Sequence, residues 1–383
     1  MSTDTPVVVR AYRTPFGKEG GVFADVRPED LSIPLIDRIL EETDLTGEDV
    51  DDLKWGCAQQ RSEQGNNMAR VIALMSQLGE ATPATTINRW CASSAEAIIN
   101  AADAIRAGQR ECIIAGGVES MSRVPMGEND EFHPGLDEYH DLADLRMGMT
   151  AETVAERYGV TRRTQDEYAA QSQQRAVAAT EEGRFDDEIV PIEGHDEDGE
   201  AITVTEDEGL RPGTTVEKLA ELPTVFKSDG TVTPGNASQM TDGAAALLIT
   251  SRSFAAEHGL EEIAEIGNNA VAGVEPEVMG IGPVPACRQL FERSGTGVDD
   301  YDLVELNEAF ASQCVYCRDE LGFDDDIYNV NGGAIAIGHP LGATGARLPV
   351  TLIHEMHKRG ADRGLATECV GFGQGAAIEF LVE

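Results

Sequence analysis

Lysine is scarce in this sequence. It occurs only at Lys18, Lys54, Lys218, Lys227 and Lys358, so arginine supplies most of the cations. Lysine and arginine together number 29 against 69 carboxylates, a formal net charge of −40. No basic stripe is present to neutralise phosphates, so no nucleic-acid partner is expected. Long apolar runs are missing as well. None approaches the roughly 20 residues needed to cross a bilayer, so no membrane segment is expected. The start, MSTDTPVVVRAYR, lacks a basic stretch followed by an apolar one, and no secretory signal is expected. Metal-ligand spacing is absent too: none of the 7 histidines makes such a pattern with cysteine.

The 7 cysteines are Cys57, Cys91, Cys112, Cys287, Cys314, Cys317 and Cys369. They are scattered and odd in number, in a chain large enough to fold without staples. Reduced thiols in a cytoplasm are expected. Cys314 and Cys317 form a C-x-x-C inside an apparent helix, which favours burial over redox chemistry. The acid is spread over clusters at 41–42, 49–52, 195–200 and 324–326. Such self-repulsion destabilises a fold in dilute buffer unless salt screens it. A cytosolic protein of a salt-accumulating halophile is expected.

The chain has 383 residues and 41% hydrophobic residues, compatible with a large core. Domains of roughly 100–200 residues each would divide it into two or three. Strands are predicted at 7–12, 53–58 and 111–116, with 85–88 extended. Helices are predicted at 28–42, 64–78 and 92–107 between them. This alternation predicts an α/β sheet with parallel pairing. Periodicity fades at 123–145, returns as helices at 148–158 and 164–182, and gives way to extended structure at 188–204. Residues 206–238 read as irregular. Strand composition returns at 243–250, and the alternation resumes with strands at 263–267, 302–306, 365–369 and 376–381, with 328–331 extended. Helices are predicted at 282–293, at 308–321 and from the Gly-His-Pro turn to 359. The two halves echo each other as a structural duplication rather than a sequence repeat. One instance is TINRWCASSAEAIINAADAIRAG followed by ECIIAGG. The other is YNVNGGAIAIGHPLGATGARLPVTLIHEMHKRG followed by LATECVGFGQG.

Four stretches could carry chemistry. Cys91, in NRWCASS, is placed at the first turn of a predicted helix, whose positive end and unpaired N–H groups favour a thiolate. A buried structural cysteine is the competing reading. His339, in a glycine-rich turn opening into a helix, is the best candidate base, against a solvent-facing histidine in a loop. His354 and His357, beside Lys358 and Arg359, read as a solvated helix face. Cys369 ends an apolar strand running into glycines, whose N–H groups are free to face an oxyanion. Asn307, at a strand-to-helix turn, reads either as a helix cap or as an amide holding a water or a carbonyl oxygen.

Taken together, NRWCAS, AGGVESMS, NEAF, GGAIAIGHPLGATGAR and CVGFGQGAA resemble, in order, the signature segments of the thiolases. AYRTPFGKEGG, MGMTAETVAERYG, GTVTPGNASQMTDGAAALLI and VMGIGPVPA add to the match, which covers nearly the whole chain. The resemblance implies the thiolase fold: duplicated βαβαβαββ core domains in an α-β-α-β-α layering, with an inserted loop domain. The first core would take residues 1–120 plus about 243–260. The loop domain, binding coenzyme A, would take 121–242, and the second core 261–383.

The implied reaction is ping-pong chemistry on coenzyme A thioesters, either thiolysis of a 3-ketoacyl-CoA or Claisen condensation of acetyl-CoA. Cys91 would be nucleophile and acyl carrier, His339 its base, and Cys369 the second acid and base. Asn307 would hold a water that, with His339, forms one oxyanion hole. The N–H groups of Cys91 and Gly371 would form the other. Ser238, Arg211, Met147, Met279 and Phe310 match positions that contact coenzyme A or line its tunnel. No metal and no permanently bound cofactor are implied; coenzyme A is a substrate. A homo-oligomer, dimer or dimer of dimers, is implied, with room for a complex with other acyl-CoA enzymes.

The sequence departs from the family pattern in places. Ser94 and Gln239 stand where glycines are usual, and Thr241 where asparagine is. Arg146 precedes Met147 where short-chain biosynthetic thiolases often have histidine. Nothing at 123–145 resembles the segment those enzymes use to assemble tetramers. Residues 211–219 look more like degradative 3-ketoacyl-CoA thiolases. A decarboxylating ketoacyl synthase shares the fold, but Cys369 argues against it. A non-enzymatic scaffold tends to lose catalytic groups, and this chain keeps all four.

Overall fold

A computed structural model describes residues 4–127 and 132–382. The first half runs β1 (Pro6–Arg13), β2 (Gly17–Lys18), α1 (Pro28–Thr43), β3 (Asp52–Gly56) and α2 (Met68–Met75). β4 (Ala84–Ile87), α3 (Ser93–Arg106) and β5 (Cys112–Ser120) follow. The chain then leaves the sheet through α4 (Met147–Tyr158), α5 (Arg162–Glu181), β6 (Ile192–His195), β7 (Ala201–Val204) and α6 (Val216–Ala220). It returns with β8 (Thr241–Ser251), followed by α7 (Arg252–His258). The second half runs β9 (Ala264–Gly273), α8 (Pro283–Ser294), β10 (Leu303–Leu306) and α9 (Ala311–Leu321). It closes with α10 (Ala334–Ile337), α11 (Leu341–Arg359), β11 (Arg363–Val370) and β12 (Gln374–Leu381).

Local sequence explains the main elements. In α1, Leu31, Leu35, Ile36, Ile39 and Leu40 share one face and are all buried, and Pro28 opens the helix where no N–H is needed. β5 and β8 are buried on both faces, which is why they read as unbroken runs of small and apolar residues.

Each half pairs its strands the same way. β5 lies parallel to β3 and antiparallel to β8, which lies antiparallel to β1. In the second half β11 lies parallel to β10 and antiparallel to β12, which lies antiparallel to β9. Even the outermost positions correspond. β4 pairs parallel with β3, and Tyr328 makes a parallel bridge to Val304. The halves join where β1 meets β9, through Val7 opposite Glu265 and Val8 opposite Ala264.

α3 and α11 pack against each other between the halves. α11 also reaches β5 and β8 on one side and β10 and β11 on the other. An apolar cluster fills this central layer, with Ile98, Ile105, Leu247, Leu348, Ile353 and Phe380 among its members. α1 and α2 cover the outer face of the first half, and α8 and α9 that of the second. The order is helices, sheet, helices, sheet, helices.

Several predicted elements change on folding. The helix expected at 64–78 shortens to 68–75, because Asn66 and Asn67 turn through left-handed backbone at φ 54°. The helix expected from 308 begins at Ala311, because Phe310 is extended at φ −147°. The extended stretch at 188–204 is a two-stranded hairpin. The extended stretch at 328–331 contributes the isolated bridge at Tyr328. α7 and α10 were not signalled, being barely two turns and one turn long. Within the irregular stretch at 123–145, residues 128–131 lie outside the described residues.

Candidate active site

Cys91 does not sit in the first turn of α3. Ala92 is the cap residue and the helix begins at Ser93. Trp90, just before Cys91, holds left-handed backbone at φ 49°. The thiol is buried among Ala58, Met121 and Leu341, with Met147 packed alongside. Its own N–H and that of Gly371 favour negative charge on Sγ. Those donors pull the pKa down, but burial and the nearby Glu368 carboxyl outweigh them and push the thiol up to about 12. The helix end therefore does not produce a resting thiolate.

His339 is held by its turn on every side. Its N–H donates to Gln239 O at 3.0 Å. Gly338 before it takes φ 107°, and a Cβ there would meet Thr241 Cγ2 at 2.2 Å, so only glycine fits. Gln239 Nε2 donates to Ala336 O at 2.8 Å, Ile335 O at 3.1 Å and Gly209 O at 2.9 Å. The glutamine that stood out as a departure is thus a clamp on the turn. Glu119 is a second clamp. It accepts from the N–H groups of Ala58, Gln59 and Gly342 and from Gln64 Nε2, tying β5 to the start of α11.

The imidazole tautomer follows from its partners. Thr344 Oγ1 donates to Pro340 O at 3.0 Å and lies 2.6 Å from His339 Nδ1. With its own proton engaged, the hydroxyl accepts from Nδ1–H, which leaves Nε2 bare. Asn307 Nδ2 stands 3.3 Å from Nε2. Burial, and next the Arg347 charge, pull His339 down to about 3, so the ring is neutral at neutral pH.

Asn307 is fully buried and does not cap α9, whose cap residue is Phe310. Its N–H donates to Thr367 O at 2.9 Å, and its Oδ1 has no partner among the described residues. Neighbouring Glu308 accepts from Tyr168, Ser172 and the Ile335 N–H, and so joins this loop to α5 and α10. Cys369, near the end of β11, packs with Met279, Ala309 and Phe310, and Met147 lies alongside. Burial is the main cause of its raised pKa and the Cys91 sulfur the next, so the two thiols are neighbours.

The remaining candidates divide. Met147, Met279 and Phe310 pack in the cluster that holds Cys369. Ser238 is half-buried, and its N–H donates to Ala309 O at 2.9 Å, beside the Asn307 loop. Arg211 is exposed and, among the described residues, reaches the site through Gln239 Oε1, at 3.5 Å. Ser94 Oγ accepts from Ala346 N–H at 2.8 Å, so the serine in the glycine position locks α3 to α11. His354 is half-buried, not solvated, with Nε2 2.9 Å from Ala11 O. Cys314 and Cys317 are both buried on α9.

Sequence reasoning missed Thr344, Glu119 and Glu368. Thr344 lies within the glycine-rich motif, one turn into α11, and could have been found as a partner for His339. Glu368, whose carboxyl oxygens have no partner among the described residues, carries no signal beyond a charge in an apolar strand. Among the described residues no group of His, Cys, Asp and Glu is arranged to hold a metal, and no helix is long and apolar enough to cross a membrane.

Known proteins share this fold. The model of the thiolase N-terminal domain matches residues 6–253, and that of the thiolase C-terminal domain matches residues 260–382. A 3-ketoacyl-CoA thiolase of Cronobacter sakazakii is 47% identical over 98% of both chains. One from Vibrio vulnificus is likewise 47% identical over 98% of both. The crystal structure of human mitochondrial 3-ketoacyl-CoA thiolase covers 100% of this chain at 39% identity, with a TM-score of 0.92. The Bacillus anthracis acetyl-CoA acetyltransferase structure also covers 100% of it, at 38% identity and the same TM-score of 0.92. With its signature motifs gathered around two buried thiols and one imidazole, the chain belongs to the thiolase family and has the thiolase fold.

Proposed function

We propose that this protein cleaves 3-ketoacyl-CoA with coenzyme A, giving acetyl-CoA and a shortened acyl-CoA, and that the reaction runs reversibly. The observation that carries this reading is the pair of buried thiols, Cys91 and Cys369, both packed against Met147, whose methyl lies 3.0 Å from where a Cβ on Gly371 would be. The N–H groups of Cys91 and Gly371, which favour negative charge at the Cys91 sulfur, would serve a carbonyl oxygen bonded through carbon to it. The 47% identity to relatives named 3-ketoacyl-CoA thiolases supports the degradative direction.

His339 Nε2 takes the Cys91 proton as the sulfur attacks the 3-keto carbon. The bond between the second and third carbons breaks, leaving the acyl group on Cys91. The electron pair stays on the acetyl-CoA enolate, which Cys369 protonates. Cys369 then takes the thiol proton of incoming coenzyme A, whose sulfur attacks the acyl-Cys91. His339 returns its proton to Cys91. Both thiol and imidazole start neutral, so the charge pair forms only when a substrate carbonyl is present to receive the attack. Asn307 with its unpaired Oδ1 and His339 with bare Nε2 are two acceptors that suit a water donating to both. Ser238, Met147, Met279 and Phe310 line the pantetheine approach, and Arg211 stands at its outer end.

A second copy of the chain completes the assembly. Val71, Leu74 and Met75 expose 36%, 50% and 57% of their surface on α2, beside the sheet edge at β4. An apolar face next to an open edge is unusual on so acidic a surface. Sedimentation in high KCl should give a dimer or larger, and a monomer contradicts this. A cytoplasmic location fits the free cysteines.

The activity is tested by kcat/KM for thiolysis of acetoacetyl-CoA and longer 3-ketoacyl-CoA substrates in high KCl. Cys91→Ser should lower it by several orders of magnitude, and near-normal turnover refutes the nucleophile.

A further inference from the structure

Trp90 and Phe372 are the chain neighbours of Cys91 and Gly371, and a Cβ on Gly371 would lie 3.6 Å from Trp90 Cγ. Both hold left-handed backbone, at φ 49° and φ 61°. Bulky residues keep that conformation only where their surroundings over-determine it. Here the two rings support each other, 5.4 Å apart and inclined by 31°. A third ring, Phe132 from the segment between β5 and α4, packs on Phe372 at 5.1 Å and 58°. Phe132 remains 40% exposed. The three rings form a ladder from the nucleophile toward solvent, drawn from three distant parts of the chain.

A second apolar wall stands across Met147. It contains Cys369, Met279 and Phe310, with Phe226 edge-on to Phe310 at 6.4 Å. Met147 packs against both thiols' surroundings, and its methyl lies 3.0 Å from where a Cβ on Gly371 would be. In the thiolase reading, on which this inference rests, the Phe310 wall takes the coenzyme A arm. A ketoacyl thioester has one other arm. With its carbonyl oxygen on the Cys91 and Gly371 N–H groups, that arm leaves along the rings joined to those same residues.

The geometry points to the Trp90–Phe372–Phe132 ladder as the acyl-chain platform, which favours medium and long straight-chain 3-ketoacyl-CoA over acetoacetyl-CoA. Each methylene laid on the exposed ring faces leaves water, worth about fourfold in kcat/KM. An acetoacetyl group is too short to reach beyond Phe372. The strained backbone holds the Phe372 ring beside the oxyanion donors whether or not a substrate is bound.

The test compares thiolysis of acetoacetyl-CoA, 3-ketooctanoyl-CoA and 3-ketododecanoyl-CoA in high KCl, for wild type, Phe132→Ala, Phe132→Leu and Phe372→Leu. Wild type should gain with chain length. Phe132→Ala should lower the ratio of kcat/KM on 3-ketododecanoyl-CoA to that on acetoacetyl-CoA about fifteenfold, the worth of two methylenes of lost contact. Phe132→Leu, which keeps an apolar surface, should recover most of the ratio. Phe372→Leu should lower the 3-ketooctanoyl-CoA ratio as well. An equal loss at every length, or no loss, overturns the platform while leaving the thiolase reading intact. A wild type inactive on all three substrates overturns that reading and the platform with it.

Discussion

At Cys91 two influences oppose each other. The N–H groups of Gly371 and of Cys91 itself favour a thiolate, while burial and Glu368 favour the thiol, and the thiol wins at about 12 against an ordinary 9.0. His339 is pushed the other way, to about 3 from 6.5, so the pair rests neutral. Alkylation of Cys91 by iodoacetamide should therefore be slow at neutral pH and show no inflection near pH 6.5. Fast alkylation at pH 6 would mean a preformed ion pair instead. The His339 shift also bears on stability. The fold holds the neutral ring, so its contribution is complete above pH 6.5 and is lost as pH falls from 6.5 toward about 3. Urea midpoints that stay level across that window contradict it. Cys369→Ala should still form acyl-Cys91 but fail to exchange the α-protons of acetyl-CoA with solvent, and retained exchange removes its acid and base role. Cys91 and His339 stand out in the sequence as candidates because a predicted helix start and a glycine-rich turn flag them. The protonation of the pair was not, because it depends on Glu368 and Arg347, which reach the site only through packing.

Short elements hold the site, and each is tied down by a group from elsewhere in the chain. The turn carrying His339 is clamped by Gln239 from the loop just before β8 and by Glu119 from β5. Glu119→Gln turns one of two acceptor oxygens into a donor facing N–H groups. It should cost roughly 1.5–3 kcal/mol, the worth of a buried hydrogen bond to a charged group. An unchanged urea midpoint contradicts the clamp. The long elements were legible: α1, α3 and α11 declare themselves by apolar spacing, and β5 and β8 by unbroken apolar runs. The short ones were not. α10 spans only Ala334–Ile337, and the Asn307 loop owes its shape to Glu308 reaching Tyr168 and Ser172 on α5. No local propensity encodes a loop fixed by a partner more than a hundred residues away.

At the scale of the whole molecule, duplication places the chemistry. Cys91 precedes α3, His339 precedes α11, and these two helices face each other across the central layer. The echo between halves was legible in the order of elements, and the structure adds the matching strand order and the β1–β9 junction. The net charge of −40 belongs to this scale too. Screening by salt weakens repulsion among the surface carboxylates, so the melting temperature should rise with KCl, and greatest stability at low salt refutes the salt-adapted reading. The central claim is that one sulfur, set between the halves, carries the acyl group. The direct measurement mixes the protein with a 3-ketoacyl-CoA in limiting coenzyme A, quenches it in acid and maps the acylated peptide by mass spectrometry. The shortened acyl group should be found on Cys91 and be discharged by added coenzyme A. An acyl group on Cys369, or on no cysteine at all during turnover, would contradict the assignment.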